Sequence, residues 1–165
     1  VSDLDAVYVP IGMGSGICAA CAVRNGMKLK TKIIGVVAEG APAYALSFEG
    51  GRSIAAPVTT LIADGMACRL PDDDAVEIIQ KNVDHMVRVS DDEIRNAMRI
   101  YFSDTHNLIE GAGAASLAAA LKEKELLHGK RIALVATGGN VDRDVFIKVL
   151  AECDIERQSQ MVIAS

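Results

Sequence analysis

The sequence has few aromatic residues and no long apolar run. Tryptophan is absent, aromatic residues make up 4% of the 165 residues, and no stretch approaches the roughly 18 uninterrupted apolar residues of a membrane-spanning helix. No segment is rich in Lys and Arg, and the formal net charge of -5 disfavours nucleic acid and anionic lipid as partners. No basic segment followed by an apolar one opens the sequence. We therefore expect a cytoplasmic protein without membrane or nucleic-acid partners.

The sequence also has few cysteines for a chain that would depend on disulfide bridges. The cysteines are Cys18, Cys21, Cys68 and Cys153, and a chain of this length can bury a core without covalent cross-links. Cys18 and Cys21 have the spacing of a redox or zinc motif, but no second Cys/His pair lies at metal-ligand spacing. We interpret the thiols as core packing in a reducing compartment.

The sequence does contain a regular alternation of two hydrophobic periodicities. Short β-branched runs predict strands, and stretches rich in small or helix-favouring residues between them predict helices. The predicted strands are Ala6–Ile11, Lys32–Ala38, His85–Val89 and Arg131–Ala136. The predicted helices are Ser15–Asn25, Ala43–Glu49, Ala75–Asn82, a helix from the Ser90–Glu93 capping box to about Ser103, Gly113–Leu127 and Asp142–Glu152.

This alternation predicts an α/β fold, a three-layer domain in which helices cover both faces of a parallel sheet. We assign residues 1–152 to that domain and residues 153–165 to a tail. Residues 41–71 are rich in Gly, Pro, Ser and Thr, which predicts irregular structure with one short helix. Irregular loops at the carboxyl ends of parallel strands are where ligands bind in folds of this class.

A glycine-rich loop follows the first predicted strand and runs directly into a helix. Its glycines are Gly12, Gly14 and Gly16. Glycines let backbone N–H groups approach a phosphate closely, and the helix N-terminus adds about half a positive charge. The Ser15 hydroxyl can donate one more hydrogen bond. The pattern predicts a phosphate site, and its alternative is a tight strand-to-helix connection without a ligand.

The same loop shares features with a dinucleotide-binding fingerprint. Gly12 and Gly14 follow a strand, and Glu39 ends the next one. However, Ile17 occupies the position of the third glycine, and Glu39 lies 27 residues beyond Gly12, where the fingerprint places its acid about 20 residues on. Nucleotide binding is therefore the second interpretation of the loop.

Two further motifs place polar groups next to small residues. Residues 137–140, Thr-Gly-Gly-Asn, end the last strand, and Thr137 offers a neutral hydroxyl that can pair with a ring nitrogen. Glu110 comes directly before the small residues 111–115, which permit close backbone approach. Taken alone, the first motif is as well explained by an ordinary strand-to-helix connection, and Glu110 by a helix-capping acid.

Taken together and in this order, the motifs resemble the serine/threonine dehydratase family, within the tryptophan-synthase-β-like (fold type II) pyridoxal-phosphate enzymes. The matching segments are Val9–Gly16, Glu39–Ala43, Ile62–Gly65, Ser90–Ile94, Glu110–Ala114 and Thr137–Asn140. The resemblance implies the C-terminal, cofactor-phosphate-binding half of such an enzyme. The implied reaction of the complete enzyme is β-elimination from L-threonine or L-serine to a 2-oxo acid and ammonia.

The resemblance also implies roles for individual residues. The glycine loop would hold the cofactor phosphate, with Met13 and Ser15 in place of the usual glycines. Thr137 is expected to bond the pyridine nitrogen, and Gly65 and Glu110 are expected to border the cofactor. The residues expected to contact pyridoxal phosphate are Gly12, Met13, Gly14, Ser15, Gly16, Gly65, Glu110 and Thr137.

A monovalent or divalent cation beside the cofactor is a further implication, because some relatives bind one there. The ligands would be the Glu39 carboxylate and the Ala43 carbonyl. Ala45 stands where a second acid is expected. Since a hard cation needs several oxygen ligands, this replacement weakens the metal prediction.

No catalytic residue is predicted in this chain. The family's catalytic lysine lies upstream of the glycine loop, and lysines such as Lys28, Lys30 and Lys122 have the pattern of solvated surface residues. We expect the chain alone to be inactive and to form a homo-oligomer or join a missing N-terminal half. The alternatives are a stand-alone nucleotide- or phosphate-binding module and a non-catalytic dimerisation scaffold.

Overall fold

A parallel sheet organises the fold. The computed structural model describes residues 3–151, and its strands are β1 (Ala6–Pro10), β2 (Lys32–Ala38), β3 (His85–Val89) and β4 (Ile132–Leu134). Their order in the sheet is β3-β2-β1-β4, and all neighbouring strands pair in parallel. In the centre, Ala6 of β1 lies opposite Lys32 of β2 on one side and Ile132 of β4 on the other.

Helices connect the strands and cover both faces of the sheet. They are α1 (Ser15–Gly26), α2 (Ala43–Gly50), α3 (Asp73–Asn82), α4 (Asp91–Thr105) and α5 (Gly111–Lys122). Residues 143–151 are also helical, up to the end of the described range. Helices α1, α2 and α3 pack on one face, while α4, α5 and residues 143–151 pack on the other. This confirms the predicted three-layer α/β class; the end of the last predicted helix and the tail 153–165 lie outside the described residues.

The strands are buried on both faces, as the continuous apolar runs predict for a parallel sheet. Tyr8 and Val36 point into the core under α4 and α5, whereas Val9 and Val37 point into the core under α1, α2 and α3. The alternation follows from the two-residue period of a strand. Because the sheet fixes β1 from both sides, the loop that follows β1 starts from a rigid position.

The helix starts follow local capping chemistry. The Asp72 carboxylate accepts a hydrogen bond from the Ala75 backbone N–H at 2.9 Å and begins α3. At α4, the Ser90 hydroxyl accepts from the Glu93 N–H at 3.2 Å while the Glu93 carboxylate accepts from the Ser90 N–H at 2.7 Å. The predicted capping box is therefore confirmed.

β1 ends one residue before its predicted end, and two other predicted elements differ more from the structure. The helix predicted for Gly113–Leu127 ends at Lys122 and is followed by a 3-10 turn at Lys124–Leu127. The helix ends next to Glu123. The Glu123 carboxylate accepts a hydrogen bond from the Tyr8 hydroxyl at 2.7 Å, and its other oxygen lies 2.9 Å from Nε2 of His85. β4 is a three-residue strand because it pairs with β1 only briefly at the edge of the sheet.

The cysteines that the structure describes behave as packing residues. Cys21 and Cys68 are buried, Cys18 is half-buried, and all three are free thiols. Burial raises the pKa of each thiol, which disfavours the reactive thiolate. Within residues 3–151 no group of three or more Cys, His, Asp or Glu side chains could hold a metal ion. In the same range no helix has both the length and the apolar character required to cross a bilayer.

Candidate functional site

A cavity of about 350 Å³ opens beside the carboxyl end of β1. All eight residues that the sequence predicts around a cofactor line it, together with Pro10, Met66 and Ala112. These residues come from four separate parts of the chain, around positions 12, 65, 110 and 137. No lysine or arginine of the described residues lines the cavity, so an anion bound there depends on backbone and hydroxyl donors.

The glycine loop forms one wall of the cavity and leads into α1. Gly14 is the N-cap residue with a φ of 94°, in the left-handed region that favours glycine. No side chain caps this end of α1 and its first turn carries no acid, so the first N–H groups stay available to an anion. Met13 is 69% exposed, and it lines the cavity together with the glycines on either side of it.

A second wall is the 3-10 turn at Asp64–Met66. Gly65 was expected to border the cofactor, whereas the turn itself was not predicted. A Cβ atom on Gly12 would lie 2.4 Å from the Gly65 carbonyl oxygen, so the two backbones touch and Gly12 has no room for a side chain. A Cβ atom on Gly65 would in turn lie 2.9 Å from the Cβ of Ala112 at the start of α5. The glycine loop, the turn and α5 therefore pack directly on one another.

The third wall joins the start of α5 to the segment after β4. The Glu110 backbone N–H donates to the Gly138 carbonyl at 2.9 Å, which holds Glu110 next to Thr137. Glu110 occupies the N-cap position of α5, but its side chain makes no capping hydrogen bond. The capping interpretation of this acid is therefore not borne out, and Glu110 is one of the residues that line the cavity.

Comparison with known proteins identifies the family. The family model described as "Pyridoxal-phosphate dependent enzyme" matches residues 2–138. The chain belongs to this family. The match extends over all four segments that line the cavity.

Relatives in the pyridoxal-phosphate-dependent enzyme family include dehydratases. The chain is 33% identical over 148 residues to an L-threonine ammonia-lyase of Thermotoga maritima, covering 90% of this chain and 37% of that protein. It is 38% identical over 151 residues to a phenylserine dehydratase of Ralstonia pickettii, covering 89% of this chain and 45% of the relative. The chain thus spans less than half the length of these relatives.

A solved structure of the family has the same fold. The processed form of threonine deaminase isoform 2 from Solanum lycopersicum superposes with a TM-score of 0.85 at 30% identity, covering 90% of this chain and 44% of that one. The four-stranded parallel sheet with helices on both faces is therefore the arrangement of fold-type-II pyridoxal-phosphate enzymes, as the sequence predicted.

The residues predicted for a cation make other contacts. Oε1 of Glu39 lies 3.5 Å from the Lys122 ammonium. The Ala43 carbonyl accepts a hydrogen bond from the Ser47 hydroxyl at 2.7 Å, and Ala45 is a buried apolar residue. Both predicted ligands thus have other partners in the structure, and the cation stays a prediction. Glu39 is not among the residues that line the cavity.

Sequence reasoning missed several residues at the site. Pro10, Met66 and Ala112 line the cavity, and Tyr44 packs below the glycine loop with its hydroxyl 2.7 Å from the Met13 carbonyl oxygen. Ala112 lies within a motif already singled out, so its place could have been inferred. Tyr44 gave no signal in the sequence, because nothing in α2 indicates which loop that helix supports.

Proposed function

We propose that the cavity holds the pyridoxal phosphate of a dehydratase that acts on β-hydroxy-α-amino acids such as L-threonine or L-serine. The observation that carries this proposal is the convergence of four separate segments on one cavity. In this proposal the cofactor phosphate is held by residues 12–16 and the Thr137 hydroxyl bonds the pyridine nitrogen. Gly65 and Glu110 border the ring.

The chemistry of these groups suits the cofactor. Uncapped N–H groups at the start of a helix favour a phosphate dianion, because the helix dipole is positive there. Thr137 offers a hydroxyl, which pairs with a ring nitrogen without adding charge. When bound, pyridoxal phosphate supplies an electron sink for the bonds at the substrate α-carbon. A neutral partner at the nitrogen keeps that sink moderate, which favours prompt loss of a β-substituent.

The substrate class is supported by the relatives. L-threonine and phenylserine, named for two of them, both carry a hydroxyl on the β-carbon. The net reaction removes the α-proton and the β-hydroxyl as water, and hydrolysis then gives a 2-oxo acid and ammonia. No lysine among the described residues lines the cavity. We therefore assign the transfer of the α-proton to no residue that the structure describes. We propose that the working enzyme adds residues to this site through further polypeptide or through self-association.

Binding of pyridoxine 5′-phosphate to the chain tests the proposal. This compound has an alcohol where pyridoxal phosphate has an aldehyde, so it cannot react with surface lysines. Isothermal titration calorimetry should show saturable binding that inorganic phosphate displaces. Thr137→Val should weaken binding of pyridoxine 5′-phosphate about fivefold through loss of one hydrogen bond, and leave the affinity for inorganic phosphate unchanged. Thr105→Val, at an exposed position of α4, is the matched control.

Other results would support the competing functions. Tight binding of NAD or ATP without binding of pyridoxine 5′-phosphate would favour a nucleotide-binding module. Self-association without any phosphate binding would favour a non-catalytic scaffold. Either result would contradict the proposed cofactor site.

A further inference from the structure

Tyr44 lies directly beneath the glycine loop, outside the cavity lining. It is the second residue of α2, and only 2% of it is exposed. Its hydroxyl donates a hydrogen bond to the Met13 carbonyl oxygen at 2.7 Å. The Tyr44 side chain therefore links α2 to the loop, and Tyr44 is not among the residues that line the cavity.

This hydrogen bond fixes the orientation of one peptide unit. The described residues contain no cis peptide bond, and in a trans peptide the carbonyl and the following N–H point in opposite directions. With the Met13 carbonyl directed at Tyr44, the Gly14 N–H points away from Tyr44, and Gly14 lines the cavity whereas Tyr44 does not. If the unit turned over, a carbonyl oxygen would face a bound phosphate and repel it.

The packing around Gly14 shows how closely Tyr44 and the loop are matched. A Cβ atom on Gly14 would lie 2.6 Å from the Tyr44 hydroxyl oxygen and 3.0 Å from the Cβ of Ala75 in α3. The loop therefore rests directly on the phenol ring. A tyrosine phenol has an ordinary pKa of about 10 and is therefore a protonated donor at neutral pH, and burial raises the pKa of Tyr44 further.

We propose that Tyr44 is a positioning residue for the phosphate loop. Its hydroxyl holds the Met13 carbonyl away from the cavity and so presents the Gly14 N–H to the cofactor phosphate. This inference rests on the proposed function, because it assigns a role within that same site.

The test compares two ligands that differ only in the phosphate, pyridoxine 5′-phosphate and pyridoxine, and adds inorganic phosphate as a third. Tyr44→Phe removes the hydroxyl and keeps the ring. We expect the Kd for pyridoxine 5′-phosphate to rise about fivefold, measured by calorimetry on the full chain, and the Kd for inorganic phosphate to rise by a similar factor. Binding of pyridoxine, which lacks the phosphate, should not change. The control Tyr101→Phe removes a hydroxyl from a half-buried tyrosine of α4 and should leave all three affinities unchanged.

A measurement on the wild-type chain covers the case in which Tyr44→Phe fails to fold. In an amide ¹H–¹⁵N spectrum, the Gly14 resonance should be among those that move most when inorganic phosphate or pyridoxine 5′-phosphate is added. A Gly14 resonance that stays in place, or equal phosphate affinities for Tyr44→Phe and wild type, would overturn the role of Tyr44 alone. Absence of any binding by the wild type would overturn the proposed function together with it.

Discussion

Replacing Gly14 by alanine should destabilise the chain strongly. The φ of Gly14 is 94°, and an L-residue in the left-handed region costs about 1–2 kcal/mol. The added methyl would also lie 2.6 Å from the Tyr44 hydroxyl oxygen and 3.0 Å from the Ala75 Cβ, and overpacking of this kind costs about 1–3 kcal/mol. We expect Gly14→Ala to lower the free energy of unfolding by about 2–5 kcal/mol.

Gly16→Ala is the matched control, since it adds the same methyl two residues further on. Gly16 is helical, and a Cβ atom there would have no neighbour within 4 Å. Alanine is the better helix former, so this variant should gain up to about 1 kcal/mol. The two substitutions therefore have opposite expected signs within one loop.

Urea denaturation followed by far-UV circular dichroism measures both variants, and the absence of tryptophan makes this signal preferable to intrinsic fluorescence. The midpoint should fall for Gly14→Ala and stay level or rise for Gly16→Ala, with an unchanged slope. Equal midpoints for the two variants would refute the argument, because backbone conformation and contact with Tyr44 would then not distinguish the two glycines.

Two further predictions concern a helix cap and a surface ion pair. Ser90→Ala should lower the free energy of unfolding, measured by urea denaturation, by about 1 kcal/mol because the capping hydrogen bond of α4 is lost. Ser103→Ala, at an exposed position of the same helix, should not lower it. Equal losses for the two variants would contradict the capping role. Hydrogen bonds from Lys32 and, to a lesser extent, His85 lower the pKa of Asp84 in the folded chain. The Asp84 carboxylate therefore stabilises the fold at pH values above its unfolded pKa of about 4. This stabilisation is lost as the pH falls through the pKa of Asp84 in the folded chain. Asp84→Asn should therefore lower the free energy of unfolding by less than about 1 kcal/mol at pH 7 and leave it unchanged at pH 2. Thermal unfolding at several pH values measures this difference. A loss of stability that persists at pH 2 would contradict the prediction.

Much of the fold was predictable because the signals that specify it are local. The strands β1, β2 and β3 coincide with β-branched apolar runs, and the beginning of α4 follows from Ser90 and Glu93, three residues apart. Parallel strands buried on both faces need continuous apolar runs, and these are visible in the sequence. The end of α5 and the short β4 were predicted less well, since contacts with distant residues decide them.

Part of the candidate site could likewise be predicted from local sequence, and part could not. The glycine loop could be identified from residues 12–16 alone, because three of these five residues are glycines where a strand runs into a helix. Family resemblance then supplied Gly65, Glu110 and Thr137, and the structure brings them to the same cavity as the loop. Their roles toward a cofactor stay proposals that the binding experiments test.

The sequence by itself thus determined the class of the fold, the order of its elements and the position of the glycine loop that we propose as an anion site. Those properties depend on hydrophobic period, capping residues and glycine spacing, which act over a few neighbouring residues. Only the tertiary structure decided that Tyr44 supports Met13, and that Lys122 pairs with Glu39 near the predicted cation position. The reason is physical: a hydrogen bond or ion pair between residues 31 or 83 positions apart depends on how whole helices pack against the sheet.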